Sequence, residues 1–406
     1  MRIDYLIIGA GIIGSSIARE LAKQRLGRIV VLEKEQTFGC HASGRNSGVI
    51  HSGINQKPGS LKARMCLDGG RKLRQFCREH NIPMNECGTL VIARNETEEF
   101  VLHRLLEWGG ECGVSDLKII SQQELRNREP IANGRCALLS PSGASVDSVA
   151  LLHAIIEDAK SLGAEFELSR KALRIDPEKR TVSTAEKQFK FTHVINCAGL
   201  YADKVAHAMD AGAHLKIIPF RGEYWEVLEC PVRSMIYQPP NLKFPFLSIH
   251  LTRETNGQVL AGPSAVLSLG RESYRKEWNL KETKEMVTSA QFLGLLRNAQ
   301  FRDLAVQNWV TSVSASAFVD SIRSLITVPI PKSMVRPYRS GIRAQVVDRA
   351  GNMVEDLVVE YRDHSTHVLN AVSPGMTCSL PFAEHVVASI LNRDTTIEKA
   401  LPFSPA

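Results

Sequence analysis

Several features that would place this chain of 406 residues in a specialised class are missing. It has no apolar run of about 18 residues or more, the length that crosses a membrane. Its first residues lack the basic start, apolar stretch and small-residue cleavage site of a signal peptide. No internal repeat or low-complexity segment occurs. The sequence therefore predicts no transmembrane helix and no secretion, and we expect a cytoplasmic protein.

The cysteines lack a pattern as well. Nine are present, scattered from Cys40 to Cys378, and none forms a CxxC pair. Metal sites and disulfide frameworks use regular spacings of cysteine, and a cytoplasmic compartment keeps thiols reduced. We therefore expect packed, reduced thiols and no metal site.

Charge of one sign is not concentrated anywhere in the chain. Fifty lysines and arginines against 43 acidic residues give a formal net charge of +7. The basic residues are dispersed and do not alternate with aromatics, so we expect no nucleic-acid partner. A modest positive excess suits a small anionic substrate, or a peripheral hold on the anionic cytoplasmic face of a membrane.

The first 35 residues carry a dinucleotide-binding pattern. The apolar run 3–8 predicts a buried strand, residues 15–23 predict a helix, and residues 29–32 predict a second strand that ends at Glu33. A Gly-x-Gly-x-x-Gly turn joins the first strand to the helix; such a turn lets a pyrophosphate reach the helix N-terminus, while the acidic residue accepts hydrogen bonds from a ribose. This pattern alone leaves NAD and FAD open. The predicted cofactor-binding residues here are Gly9, Gly11, Ile12, Ile13, Gly14, Glu33 and Lys34.

Strand patterns of two kinds interleave along the rest of the chain. The strand, glycine turn and helix recur at 191–203 and again at 366–392. The segment 213–335 instead contains longer alternating runs, among them 246–252, that are typical of an antiparallel sheet, with helix patterns near 281–297 and 299–307. Two-domain NAD enzymes usually finish one domain before the other starts, so the interleaving favours FAD. We predict an α/β fold in which a Rossmann-like FAD-binding domain is interleaved with a mostly antiparallel-sheet α+β substrate domain. The FAD-binding domain would comprise 1–82, 145–212 and 336–406, and the substrate domain 83–144 and 213–335.

A glycine-rich loop at 44–62 belongs to a set of blocks that resembles a known family. The blocks are 9–14, 33–34, 45–53, 57–62, 196–203, 219–224, 244–247, 262–265 and 341–345. In these blocks the sequence resembles the D-amino-acid-oxidase-like FAD-dependent oxidoreductases, and most closely the L-2-hydroxyglutarate dehydrogenase/oxidase branch. Where that family often has aromatic residues, this chain has Asn55 and Gln56.

The resemblance implies an extended FAD, held covalently or non-covalently. The segment 43–48 would pass along the pyrophosphate and flavin, and the N-terminus of the last helix would meet the flavin's pyrimidine edge. The further residues that the resemblance places at the cofactor are Ser43, Arg45, Asn46, Ser47, Gly48, Ala198, Gly199, Gly341, Gly375 and Met376. The implied activity is oxidation of L-2-hydroxyglutarate, or a close 2-hydroxy acid, to the 2-oxo acid. Hydride would reach flavin N5, and electrons would pass to a quinone, another acceptor or oxygen.

Five residues are candidates for the chemistry. His51 would accept the hydroxyl proton; alternatively it supports the flavin or a backbone carbonyl, or carries a covalent flavin link. Arg221 would anchor a carboxylate, unless it forms a structural salt bridge, and Arg343 would lie near the flavin. Tyr224 would polarise a substrate oxygen, or be an ordinary strand aromatic. His250 would line the substrate pocket, or be a satisfied strand histidine.

Three other functions stay open from the residues. An amine or glycerol-3-phosphate oxidoreductase could use the same scaffold. A non-catalytic FAD-binding protein would bind flavin without reacting with a hydroxy acid or an amine. An NAD-dependent dehydrogenase would be colourless when purified.

Overall fold

The computed structural model describes residues 2–240, 242 and 249–393. Its strands, in chain order, are β1 (Ile3–Ile8), β2 (Ile29–Leu32), β3 (Val49–Ile50), β4 (Met84–Asn85), β5 (Thr89–Ala93), β6 (Lys118–Ser121), β7 (Cys136–Ser140), β8 (Ala144–Val146), β9 (Glu165–Glu167), β10 (Arg174–Asp176), β11 (Thr181–Ser183), β12 (Gln188–Asn196), β13 (Lys216–Val227), β14 (Met235–Tyr237), β15 (His250–Arg253), β16 (Val259–Gly262), β17 (Val266–Leu267), β18 (Val335–Val347), β19 (Val358–Arg362) and β20 (Ser365–Asn370).

The helices are mostly short and capped by side chains. In chain order they are α1 (Ile12–Lys23), α2 (Leu61–Glu79), α3 (Glu96–Glu111), α4 (Gln122–Arg128), α5 (Ser148–Ser161), α6 (Ala202–His207), α7 (Leu280–Val287), α8 (Ala290–Arg297), α9 (Ala299–Val313), α10 (Ala315–Arg323) and α11 (Gly375–Arg393). Two 3₁₀ turns lie at Gly199–Tyr201 and Lys332–Met334. Among the described residues, no helix is long and apolar enough to cross a membrane.

The first sheet has eight strands built around β1. Strand β1 pairs in parallel with β2 and β12, and β20 pairs in parallel with β12. These strands are buried on both faces, as continuous apolar runs predict. Helices α1 and α11 cover one face, where Ile17, Leu21 and Phe382 pack against Ile7 in one core cluster. The strand–turn–helix–strand unit predicted from residues 3–32 is therefore present.

The second sheet has nine strands in the order β17-β13-β16-β15-β14-β5-β7-β6, with β18 also paired to β13. Every pair is antiparallel except β14 with β5. A third, small sheet joins β3, β8 and β4. The predicted α/β class, with one parallel-cored sheet and one mostly antiparallel sheet, is confirmed. The predicted domain boundaries stay a prediction; β18 lies almost wholly within the segment 336–406 and pairs with β13 of the second sheet.

Two elements differ from their sequence-based predictions. The single helix expected near 281–297 is two helices, because the Ser289 side chain accepts a hydrogen bond from the Phe292 amide and starts α8 afresh. The expected strand 246–252 is described only from His250 onwards. Phe246 and Ser248, with the block 244–247, lie outside the described residues.

Candidate active site at the sheet junction

The β1–α1 turn has the geometry of a phosphate cradle. Gly9 has φ +106°, and a Cβ there would lie 2.4 Å from the Cys197 carbonyl oxygen. A Cβ on Gly14 would lie 2.0 Å from the Gly9 carbonyl oxygen, so only glycine lets the helix approach the turn. The Ile12 amide donates to Ser43 Oγ over 2.9 Å, which joins the helix N-terminus to segment 43–48. Backbone groups of this kind bind phosphates at helix N-termini.

Glu33 lies beside this turn at the end of β2. Its Oε2 accepts a hydrogen bond from the Ala10 amide over 3.1 Å, and its Oε1 accepts one from the Glu35 amide over 3.0 Å. The carboxylate is thus fixed next to the glycine turn and is only half buried. Because a carboxylate has about four lone-pair sites, it can still accept ribose hydroxyls. Neighbouring Lys34 instead forms ion pairs with Glu35 and Glu272.

Segment 43–48 is held in one conformation by its own side chains. Asn46 Nδ2 donates to the Ser43 carbonyl over 2.8 Å, and Asn46 Oδ1 accepts from the Gly48 amide over 2.8 Å. The Arg45 guanidinium lies 4.3 Å from the centre of the Tyr274 ring and Arg45 Nε donates to a backbone carbonyl. The segment therefore runs in a fixed conformation from the N-terminus of α1 to the start of β3. The Arg45 guanidinium points instead to Tyr274, which precedes α7.

Other predicted cofactor positions leave space beside the backbone. A Cβ on Gly199 or on Gly375 would meet no described atom within 4 Å. Gly375 is the first residue of α11, with Met376 next to it, and Ala198 lies directly before Gly199. Gly341 differs, since a Cβ there would lie 2.2 Å from the Arg45 carbonyl oxygen. Open glycine backbone at a helix start fits the approach of a flavin nucleotide.

His51 follows β3 and is held between two helices. Its amide donates to Thr377 Oγ1 over 3.1 Å, and its carbonyl accepts from Cys66 Sγ at 3.7 Å. Burial is the main cause and the nearby positive charge of Arg343 the second; together they lower the pKa of His51 to about 4. The imidazole is therefore neutral near pH 7 and keeps a lone pair that can accept a proton.

Arg343 and Tyr224 come from two paired strands. Arg343 on β18 is opposite Phe220 on β13, four residues before Tyr224, so the Arg343 and Tyr224 side chains share one face of the sheet. Burial raises the pKa of Tyr224 and the Arg343 charge opposes that rise. The Tyr224 hydroxyl is also hydrogen-bonded to Ser47. Arg343 thus places a half-buried cation within electrostatic range of both His51 and Tyr224.

A small open pocket lies beside His51. It is lined by His51, Ser52, Gly53, Ile54, Asn55, Gln56, Thr89 and Tyr237. The Tyr237 hydroxyl and Asn55 Oδ1 are buried and have no hydrogen-bond partner in the described part of the chain. Buried polar groups usually have partners, so unsatisfied ones on a pocket wall indicate a ligand site. The Tyr237 ring stacks on His250, with 4.1 Å between ring centres.

The structure therefore brings together four of the five candidate catalytic residues. His51, Tyr224 and Arg343 interact electrostatically, and His250 joins them through the Tyr237 ring. Tyr237 and the position of Asn55 on the pocket wall were not predicted from the sequence. Asn55 and Gln56 replace residues that are often aromatic in the family, and this difference could have indicated a pocket position for Asn55. Tyr237 lies in a strand of three residues, which is too short to show a pattern.

Arg221 is placed elsewhere. It lies three residues before Tyr224 in β13, so its side chain is on the opposite face of the strand. Its Nη2 is 3.2 Å from Glu223 Oε1, and its Nη1 donates to the Ser273 carbonyl over 3.4 Å. These contacts fit the alternative of a structural salt bridge; a role as a substrate anchor stays a prediction.

Comparison with known proteins gives matches over nearly the whole chain. The family described as DAO, FAD dependent oxidoreductase, matches residues 4–389. An L-2-hydroxyglutarate dehydrogenase from Indibacter alkaliphilus is 35% identical over 97% of this chain and 100% of that protein. The L-2-hydroxyglutarate dehydrogenase of Escherichia coli K12 is 32% identical over 95% of this chain and 93% of that protein. The mitochondrial L-2-hydroxyglutarate dehydrogenase of Homo sapiens is 31% identical over 96% of this chain and 89% of that protein.

Solved structures share the fold at lower identity. An L-alpha-glycerophosphate oxidase from Mycoplasma pneumoniae with FAD bound has a TM-score of 0.76 and 21% identity, and the match covers 96% of this chain and 95% of that one. A glycine oxidase from Geobacillus kaustophilus has a TM-score of 0.72 and 18% identity, covering 98% of this chain and 96% of that one.

Proposed function

Because the chain belongs to the FAD dependent oxidoreductase (DAO) family, we propose that it oxidises the C2 hydroxyl of L-2-hydroxyglutarate to give 2-oxoglutarate. The support is twofold. Relatives that cover 96–97% of the chain at 31–35% identity bear the name L-2-hydroxyglutarate dehydrogenase. The observation that carries the chemistry is a neutral, half-buried His51 within electrostatic range of the half-buried cation Arg343, next to an open pocket.

FAD fits the residues of the first sheet. The Gly9–Gly14 turn and Ser43 would hold the pyrophosphate, Glu33 the ribose, and the α11 N-terminus at Gly375 the flavin end. When bound, FAD supplies the hydride acceptor. The chain's own contribution is to place the substrate and to accept a proton.

His51 would take the proton of the C2 hydroxyl. An imidazole with a pKa of about 4 is a weak base in the free enzyme. A dicarboxylate bound in the pocket would raise that pKa, because negative charge stabilises the imidazolium form. Substrate binding would thereby make His51 a better proton acceptor at the step that needs one.

Arg343 and Tyr224 would hold the carboxylate next to the reacting carbon. A guanidinium meets a carboxylate with two hydrogen bonds, and these strengthen away from water. The far carboxylate would accept hydrogen bonds from the Tyr237 hydroxyl and the Asn55 amide, which line the same pocket. This assignment gives a partner to the buried Tyr237 hydroxyl, which has none among the described residues.

The electrons would then pass to a second acceptor, for which a membrane quinone is our proposal; another acceptor or oxygen would use the same first half-reaction. A quinone acceptor requires peripheral contact between the protein and the cytoplasmic membrane face.

A panel of substrates under anaerobic conditions tests the proposal. The purified yellow protein is mixed in turn with L-2-hydroxyglutarate, D-2-hydroxyglutarate, sarcosine and glycerol 3-phosphate. We expect the oxidised flavin band to bleach with L-2-hydroxyglutarate and to persist with the other three. Bleaching by sarcosine or glycerol 3-phosphate alone would replace the proposal with an amine or glycerol-phosphate activity. Reduction by dithionite but by no member of the panel would indicate a non-catalytic flavoprotein.

A further inference from the structure

An apolar surface lies on helices α7, α8 and α9, which pack on strand β13 of the second sheet. We call it the outer helical surface: Trp278 and the exposed faces of α7, α8 and α9. Its large exposed apolar residues are Trp278, Leu280, Val287, Leu293, Leu296, Val306, Trp309 and Val310. Trp278 and Leu280 are 71% and 75% exposed, and Val306 and Trp309 are 62% and 59% exposed. So many exposed apolar side chains in one segment of a soluble fold indicate an interaction surface.

The three helices form one layer. Their inner faces contribute Met286, Phe292 and Phe301 to a single core cluster with Ile218 and Phe220 of β13. Since the inner faces share one support, the exposed residues of the three helices point away from the same sheet. On α9, Arg302, Val306, Trp309 and Val310 follow the i, i+4, i+7, i+8 spacing of one helix face.

The two exposed tryptophans lie at the same end of this layer. Lys276 Nζ donates to the Ser312 carbonyl over 3.0 Å. Lys276 is two residues before Trp278, and Ser312 is three residues after Trp309, so this bond brings the two tryptophan segments together. The outer helical surface is thus a connected patch rather than scattered residues.

Its exposed charges are mainly positive. The exposed basic residues are Arg275, Lys276, Lys281, Lys284, Arg297 and Arg302, and the exposed acidic ones are Glu277 and Asp303. The other two acids of the segment have partners: Glu282 accepts from the Arg271 amide over 2.8 Å, and Glu285 pairs with Lys204 over 2.8 Å. The patch therefore combines tryptophan, aliphatic residues and lysine.

We propose that the outer helical surface docks the enzyme on an anionic lipid membrane, with Trp278 and Trp309 inserted at the headgroup level. Tryptophan with lysine on amphipathic helices is typical of interfacial membrane binding. A dimer interface is a poorer fit, because lysine is depleted at the cores of protein interfaces. The inference deepens the proposed function, on which it rests for a reason to meet a membrane: the docked face would bring the flavoprotein to a lipid-soluble electron acceptor.

Vesicle sedimentation of the FAD-loaded protein tests the docking without any substrate. Vesicles are made of phosphatidylcholine alone or of phosphatidylcholine with phosphatidylglycerol. We expect binding to the anionic vesicles, weakened by salt. The double variant Trp278→Ser/Trp309→Ser should lose about tenfold or more in vesicle affinity. Lys281→Glu/Lys284→Glu should abolish the preference for phosphatidylglycerol.

Matched controls come from exposed residues elsewhere in the fold. Phe100 on α3 is 72% exposed, so Phe100→Ser removes a comparable apolar side chain and should keep full binding. Lys171→Glu/Lys190→Glu makes the same charge change on the first sheet's side of the chain and should also keep it. A retained flavin spectrum in every variant shows that each is folded.

Three results would overturn the docking proposal: no binding to anionic vesicles, equal loss of binding in the Phe100 control, or a wild-type dimer that the tryptophan variant converts to monomer without vesicle binding. None depends on the substrate. If vesicles bind but L-2-hydroxyglutarate leaves the flavin oxidised, only the proposed function fails.

Discussion

The Tyr237 ring stacks on the His250 ring, with 4.1 Å between centres and 11° between planes. The stack fixes the tyrosine so that its hydroxyl, buried and without a partner among the described residues, stays on the pocket wall. A hydroxyl kept unsatisfied inside a protein costs stability, so its retention points to a ligand.

Tyr237→Phe should therefore separate function from stability. We expect kcat/KM for L-2-hydroxyglutarate to fall roughly tenfold or more, since a hydrogen bond to a charged group is lost. The melting temperature should hold or rise, because a buried unsatisfied hydroxyl is removed. Steady-state kinetics and thermal melting check both, with Tyr338→Phe on the exposed side of β18 as the control. A lower melting temperature with unchanged kinetics would assign Tyr237 to packing alone.

The pH dependence of flavin reduction should report His51. Because its pKa is lowered to about 4, the group is neutral above that pH and becomes protonated only below it. kcat/KM should thus be flat through the range in which an ordinary histidine titrates, near about 6.5, and fall only in more acid solution.

Arg343→Gln should shift the pH at which kcat/KM falls on the acid side, called here the acid limb of the pH profile. Removing the positive charge removes one of the two causes that lower the pKa of His51, so the limb should shift to higher pH. The KM for the dicarboxylate should also rise. Stopped-flow reduction over a pH series measures both effects, and Arg336→Gln, an exposed arginine on the same strand, serves as the control. A limb that stays in place in Arg343→Gln would show that the observed titration belongs to another group.

Gly9 should be irreplaceable for cofactor binding. In Gly9→Ala the new methyl group would collide with the Cys197 carbonyl, and the alanine backbone would have to adopt φ +106°. We expect loss of most bound FAD and a lower melting temperature. Gly110→Ala is the matched control, since a Cβ there meets no atom within 4 Å and the position is helical. That variant should be neutral or stabilised by about 0.5–1 kcal/mol. Full FAD content in Gly9→Ala would contradict the proposal that the β1–α1 turn binds the FAD pyrophosphate.

Acid should destabilise the fold through His367. Burial lowers the pKa of His367 to about 4, helped by Arg362. The unfolded chain then binds the proton first as pH falls below about 6.5, so stability is lost between that pH and about 4, and is unaffected above it. By pH 5 the loss should be on the order of 2 kcal/mol for this group. Urea unfolding of wild type and His367→Gln at pH 7 and pH 5 tests this; an equal drop in both would contradict it.

Site residues that are close together in the sequence could be predicted, whereas contacts between residues far apart in the sequence could not. The glycine turn and the Glu33 carboxylate beside it were predictable, because a strand, a tight turn, a helix and a second strand follow one another along the chain. The role of His51 rests on the resemblance of its loop to the family and stays a prediction. The salt bridge of Arg221 could be predicted in part, because Glu223 follows it by two residues and therefore lies on the same face of the strand. The meeting of Arg343 with Tyr224 depends on the register of β13 against β18, which are more than a hundred residues apart and are aligned only by folding.

The central claim is tested most directly by a single anaerobic turnover with L-2-hydroxyglutarate. The account predicts that wild type bleaches its flavin and forms one 2-oxoglutarate per FAD, while His51→Ala, still yellow, does so roughly 10²–10⁴-fold more slowly. His103→Ala, at an exposed site on α3, should match wild type. An oxidised flavin spectrum that L-2-hydroxyglutarate leaves unchanged in the wild type would contradict the account.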